Sequence, residues 1–153
     1  MLYKVHTKQA LPISRQEAWD FLSDPRNLER ITPKDMGFKI TSGGDKAMYP
    51  GQIIQYKVNP FPGFTTNWVT EIKQVDHLNF FIDSQLFGPY KLWHHEHFIH
   101  EIEGGVMMED LVHYKLPLGF LGRMAHSFLV KPRIDEIFET RRKKMIELFG
   151  TIS

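Results

Sequence analysis

The sequence predicts an α+β fold in which a bent antiparallel sheet of about six to seven strands wraps on a long C-terminal helix, with two short helices after the first strand. Three observations predict it. Residues 38 to 116 consist of β-type runs divided by short turn-rich spacers. From about Gly119 to Gly150 the apolar residues recur at helical spacing. Between these regions and the opening strand sit two helix-start signals, Ser14 with Glu17 and Asp24 with Pro25.

The elements follow in order. LYKVHTKQA alternates as a strand, and Pro12 ends it. Ser14 and Glu17 form an S-x-x-E capping box ahead of AWDFL; Asp24 then caps a second helix that starts at Pro25 and runs through NLERI toward Pro33. The strand runs are FKITS, QIIQYKV, TNWVTEIKQV, NFFIDSQLF, LWHHEHFIHEIE and VMMEDLVHYKL, with GGD, NPFPG, VDH, GPY and GG between them. Such short spacers favour antiparallel hairpins. Pro132 divides or kinks the C-terminal helical region. With no repeat and no low-complexity linker, residues 1–153 are expected to form a single domain.

Composition narrows the function. At 153 residues the chain is long enough to bury roughly two-thirds of its unfolded surface, and 42% hydrophobic with 13% aromatic residues marks a globular protein. A net charge of +1 gives no general electrostatic attraction for nucleic acid or anionic surfaces. The absence of cysteine excludes disulfides, thiolate metal sites and a cysteine nucleophile, and fits a reducing cytoplasm. No apolar run reaches 18 residues, so a soluble chain without stable membrane insertion is expected. No G-x-S-x-G supports a serine nucleophile.

The stretches FIDSQLFGPYKLWHHEHF, EDLVHYKLPLGFLG and IFETRR, in this order along the chain, resemble the START-like or SRPBCC superfamily with its helix-grip, pollen-allergen-like fold, and more narrowly its bacterial ligand-binding group. The resemblance implies a hydrophobic cavity between sheet and helix and leaves the chemistry open, since relatives range from lipid carriers to polyketide cyclases. Some relatives are similar to the front part of chains described as cell-division inhibitors with a nucleotide-binding domain; no G-x-G-x-x-G fingerprint occurs here.

In WHHEHFIHEIEGG, strand parity puts Trp93, His95, His97 and Ile99 on one face and His94, Glu96, Phe98 and His100 on the other. A two-residue turn at Gly104 and Gly105 would set His97 opposite Val112, His95 opposite Tyr114 and Ile99 opposite Asp110. Asp110, Val112 and Tyr114 then share the Trp93/His95/His97 face, a mixture of apolar groups and titratable handles that suits a cavity lining. A three-residue GPY loop would bring Asp83 across from His95 and Gln85 across from Trp93, the arrangement that the resemblance favours; a two-residue loop would turn Ile82 inward instead. Tyr56 and Trp68 are expected as further lining, with plain core packing as the alternative. On the last helix, Ile134, Ile137, Phe138, Met145, Leu148 and Phe149 form an apolar stripe with Arg141 at its centre, a charge that needs a carboxylate, a ligand anion or a route to solvent.

Three readings of the histidine pair stand open. Two imidazoles with Asp110 offer metal ligands, but the sequence fixes no third ligand, so neither metal nor cofactor is assigned. His95 or His97 as base with Asp110 as orienting group would serve a cyclase- or dehydratase-like enzyme. Neutral His, Tyr and Trp groups would orient a bound molecule. The last is preferred: binding of a small, mostly hydrophobic molecule bearing a polar or acidic group, by Tyr56, Trp68, Gln85, Trp93, His95, His97, Asp110, Tyr114 and Arg141. Neither nucleic acid nor a specific protein is assigned as partner, although an interaction module with a closed cavity is a third class.

Overall fold

The computed structural model describes residues 1–153. Seven strands run β1 (Tyr3–Leu11), β2 (Lys39–Ser42), β3 (Ile53–Phe61), β4 (Phe64–Asp76), β5 (Phe80–Phe87), β6 (Leu92–Ile102) and β7 (Gly105–Lys115). They form one antiparallel sheet in the order β1-β7-β6-β5-β4-β3-β2, so only the first strand leaves chain order, pairing with the last. The helices are α1 (Arg15–Leu22), α2 (Gly119–Ala125) and α3 (Lys131–Phe149). This is the bent sheet with short helices after β1 and a long helical C-terminus that the sequence predicts.

Local chemistry accounts for most boundaries. Glu17 N–H donates to Ser14 Oγ at 3.1 Å while Ser14 N–H donates to Glu17 Oε2 at 2.9 Å, closing the capping box. The second helix is a 3₁₀ turn, Pro25–Ile31, capped by Asp24 through Arg26 N–H, with a further short turn at Lys34–Met36. Before α3, residues His126–Val130 widen into a π-turn. Pro132 has no N–H to give to the preceding turn, and it lies in the first turn of α3, where that loss costs least.

The bend of the sheet is built from irregularities. Register shifts fall between Ile40 and Ser42, Val58 and Phe61, Val69 and Thr70, and Ile72 and Gln74, all in the β2 to β5 half. Each adds local twist and turns that half toward the helices. One shift overturns a sequence expectation: NPFPG is no spacer, because Asn59 to Phe61 continue β3 and only the Pro62/Gly63 segment turns, with Gly63 at φ +78°. Pro60 is tolerated inside the strand because the bulge spares it from donating to the ladder.

A second correction concerns β6 and β7. The turn is Glu103 and Gly104, with Ile102 paired to Gly105, so the register is two residues away from the expected one: His97 faces Asp110, His95 faces Val112 and Trp93 faces Tyr114. A shift of two preserves the faces, so the inward set is unchanged.

The main core gathers Leu11, Trp19, Phe21, Ile99, Val106 and Met145 among others, joining α1, β1, β6, β7 and α3. A separate cluster of Ile54, Tyr56, Val58 and Ile72 covers the β3/β4 half, and between the two the concave face is not filled by side chains.

Candidate functional site

The inner faces of β3 to β6, the Pro25–Ile31 and Lys34–Met36 turns and the middle of α3 line a partly open pocket of about 170 Å³. Leu28, Ile54, Val58, Ile72 and Phe81 make its apolar wall, and Tyr56, Trp68 and Trp93 add aromatic surface. At one end stand Asp83, His95, His97 and Arg141, and exposed Lys46 also lines the space. The sheet places these groups by parity alone: three lie on the inward side of adjacent strands, with Asp83 paired to His95 across β5 and β6.

The polar end is a connected cluster. His95 Nε2–H donates to Asp110 Oδ1 at 2.7 Å, and His97 Nε2–H donates to Asp83 Oδ2 at 2.7 Å. His97 Nδ1 lies 3.3 Å from the same Asp110 oxygen, close enough for charge attraction though without hydrogen-bond alignment. Arg141 Nη2 is 3.2 Å from Asp110 Oδ1. Thr70 Oγ1 lies 3.4 Å from Asp83 Oδ1 and donates to Ser84 O at 3.1 Å. Both imidazoles and Asp110 are buried.

Electrostatics divide the histidines. Burial opposes charge on both rings. For His95 burial prevails, reinforced by the neighbouring His97, and its pKa is pushed down to about 4. For His97 the close carboxylate of Asp110, the hydrogen bond to Asp83 and the charge of both together outweigh burial and raise it. Burial would likewise raise both carboxyls, yet His97 holds Asp83 below its ordinary value, and Arg141 with the two imidazoles holds Asp110 well below. At neutral pH the cluster contains two carboxylates, a guanidinium, a neutral His95 and a His97 whose proton the carboxylates help to hold. Each carboxylate faces a positive or proton-donating group, which is how several ionisable groups are tolerated in one buried place.

Not every expected residue reaches the cavity. Tyr56, Trp68, Trp93, His95, His97 and Arg141 line it. Asp110 lies behind the histidines and borders instead a polar pocket of about 210 Å³ between β1 and α3, so that Arg141 stands between the two spaces. Gln85 does not reach it, because its amide is consumed by the β5–β6 turn, donating to Tyr90 O at 2.6 Å and accepting from Tyr90 N–H at 3.1 Å. Tyr114 is packed among Tyr3, Tyr90 and Trp93, with its hydroxyl 2.7 Å from His126 Nε2. Sequence reasoning missed Thr70 and Lys46 as lining. It also missed Arg133, a buried arginine that donates to Pro60 O at 3.0 Å and pairs with Asp35 and Glu136, tying α3 to β3. No periodic signal marks Arg133, because the carbonyls of Asn59 and Pro60 and the carboxylate of Asp35 that hold it lie far away in sequence.

The seven-stranded bent sheet closed by the C-terminal helix superposes on solved structures over almost the whole chain. The fold is the helix-grip fold. Protein Ms6760 of Mycobacterium smegmatis is similar with a TM-score of 0.68 at 15% identity, over 95% of this chain and 89% of its own. Ara h 8.0201 gives 0.59 at 13% identity, over 96% and 99%. A point mutant of Thalictrum flavum norcoclaurine synthase, in complex with a transition-state analogue, gives 0.65 at 12% identity, over 97% and 96%. At these identities the likeness concerns the fold. No family model matches the chain, and no curated protein matches it in sequence.

Proposed function

We propose that this protein binds a small, mostly hydrophobic molecule carrying a polar or acidic group, with the apolar body against Ile54, Ile72 and Phe81 and the polar group at the His95/His97/Arg141 end. The observation that carries the reading is the polarity of the cavity: an apolar space whose titratable lining is gathered largely at one end. Such a space orients a ligand, since the apolar wall supplies the driving force and a few fixed polar groups supply direction. Arg141 offers a guanidinium edge to an acidic group at the polar end, and neutral His95 adds an acceptor at Nδ1.

An environment-sensitive apolar fluorophore tests this. It should bind the folded protein with one-to-one stoichiometry, be displaced by medium-chain fatty or aromatic acids, and change the emission of Trp68 and Trp93, which line the same space. Absence of probe binding under native conditions sinks the proposal.

A second reading, a cyclase- or dehydratase-like enzyme, is favoured by one observation: Asp110 fixes the His95 Nε2–H tautomer at 2.7 Å, which leaves Nδ1 as a lone pair, the arrangement of an oriented general base. The norcoclaurine synthase structure supports the capacity of this architecture for catalysis. Against it, a pKa near 4 makes His95 a weak base at neutral pH, and both His97 nitrogens are directed to carboxylates. Binding is therefore the better-supported reading. Turnover of an added polyketide-like substrate that vanishes in His95→Gln, with affinity retained, would reverse the order.

A further inference from the structure

The segment between β7 and α3 has no role in the cavity, and its surface is unlike the rest of the molecule. Leu118, Phe120, Leu121, Met124, Phe128 and Leu129 are between 47% and 76% exposed. α2 has no buried residue. Only the π-turn behind it is anchored, through His126, stacked on Tyr3 at 3.6 Å and bonded to Tyr114, and through buried Val130. At about 100° per residue Phe120, Met124, Phe128 and Leu121 fall within one arc, the outward one. Water is a poor environment for six large apolar side chains in twelve residues, and a monomer rarely presents such a cluster without a use for it.

The backbone is strained to present it. Leu118 has φ +65° and Gly119 φ +48°, two successive left-handed residues that swing the chain off the end of β7. A branched side chain in that region is unfavourable, and strain of this kind persists where the surrounding structure enforces it.

Charge identifies the occupant. From Leu111 to Ile134 the sequence has two lysines and two arginines and no Asp or Glu. Arg133 and Lys131 are paired, but Lys115 and Arg123 are exposed and form no ion pair. Exposed and equally unpaired Lys91 lies beside Lys115, its N–H bonded to Lys115 O at 3.0 Å. An apolar arc with free cations about it matches an anionic lipid surface, where acyl chains receive the apolar residues and headgroups receive the cations. A second copy fits less well, because a twofold contact would bring Lys115 and Arg123 against their own equivalents.

We infer that the α2 and π-turn segment docks this protein peripherally on an anionic phospholipid membrane through Phe120, Leu121, Met124 and Phe128, with Lys91, Lys115 and Arg123 at the headgroups. No helix is long and apolar enough to cross a membrane, so the contact is superficial. The inference rests on the surface alone and stands apart from the cavity proposal.

Co-sedimentation of the full chain with vesicles of phosphatidylcholine and phosphatidylglycerol in equal parts tests it. Binding is expected, weakened by salt and weakened at least about tenfold on phosphatidylcholine alone. The Phe120→Ser/Phe128→Ser variant should lose about tenfold in vesicle binding, and Lys115→Glu/Arg123→Glu a comparable factor on anionic vesicles only. Both should keep the wild-type melting temperature, since all four side chains are exposed. No binding to anionic vesicles, or a dimer in light scattering that the Phe120→Ser/Phe128→Ser variant abolishes, overturns the inference; in the second case another copy covers the surface.

Discussion

The His95 ring lies on the His97 ring with centroids 3.6 Å apart and planes 27° off parallel, and the two favour opposite charge states. Two imidazolium rings at that distance in a buried site would repel strongly, so only one favours the proton. The carboxylates decide which. His97 has Asp83 at 2.7 Å and Asp110 at 3.3 Å, whereas the only carboxylate bonded to His95 is Asp110, which it shares with Arg141.

Opposite shifts give opposite pH dependences. His95 stays neutral in the fold down to about pH 4 but takes a proton near 6.5 when unfolded, so its contribution is complete above 6.5 and lost as pH falls toward 4. That loss is on the order of 3 kcal/mol. His97 is raised, so its contribution is complete below 6.5 and lost as pH rises through its folded value. Stability measured by denaturant unfolding should peak near pH 6.5 and fall on both sides. His95→Gln should flatten the acid limb between pH 6.5 and 4 and His97→Gln the alkaline one; a variant that flattens the wrong limb would show that the charge assignment is reversed.

Arg141 and Asp110 form the second coupled pair. Arg141→Met keeps most of the stem packing and strips Asp110 of its guanidinium, which should cost about 3 kcal/mol in thermal or denaturant unfolding with or without ligand. Acidic ligands should also bind more weakly to this variant while neutral ones change little. Combining it with Asp110→Asn should recover much of the stability, because no unpaired charge is then buried. Additive losses in the double variant would mean that the two side chains act independently.

The sequence shows most of this site and conceals specific parts of it. Strand parity depends on a period of two and survives a register error, so the inward set of Trp93, His95 and His97 is readable although the pairing partners shift by two. Arg141 is readable because a charge breaks an apolar helical stripe. The bulges that bend β3 to β5 are not, since an extra residue in one strand leaves no compositional trace. Gln85 and Tyr114 were misplaced for a related reason: both share the expected strand faces, but each finds a local partner, Tyr90 and His126, that parity does not reveal.

Metal binding is a natural test of the cluster, because donor atoms of Asp83, His95 and His97 lie within 4.8 Å of one another and supply the third ligand that the sequence did not fix. The hydrogen bonds argue against use of that set. Each Nε2–H is committed to a carboxylate at 2.7 Å, and a guanidinium lies against Asp110, so a cation would have to displace protons beside an existing positive charge. Protein purified without added metal should contain no stoichiometric transition metal, and equimolar zinc should leave the melting temperature unchanged. One tightly held equivalent that disappears in His95→Ala would establish a metal centre instead.

Gly105 sets the register that aims Asp110 at the histidines. It is the first residue of β7, paired with Ile102, and a Cβ there would stand 2.0 Å from Leu11 O and 2.9 Å from the Leu11 carbonyl carbon, at the end of β1. Backbone cannot yield as a flexible side chain can, so Gly105→Ala should force β1 and β7 apart and cost 2 kcal/mol or more, by order of magnitude. Gly104 differs: its requirement is conformational, φ +83° in the turn, with no atom nearer than 3.9 Å to an added Cβ, and Gly104→Ala should cost about 1 kcal/mol. The ratio of the two, read from denaturant midpoints, reports where the turn lies. If Gly105→Ala proves the milder, the turn spans Gly104 and Gly105, which sets Asp110 opposite Ile99 and breaks its contact with His97. The alkaline limb described above would then weaken, since His97 would keep only Asp83 to favour its proton, while the acid limb, which burial and His97 create at His95, would remain.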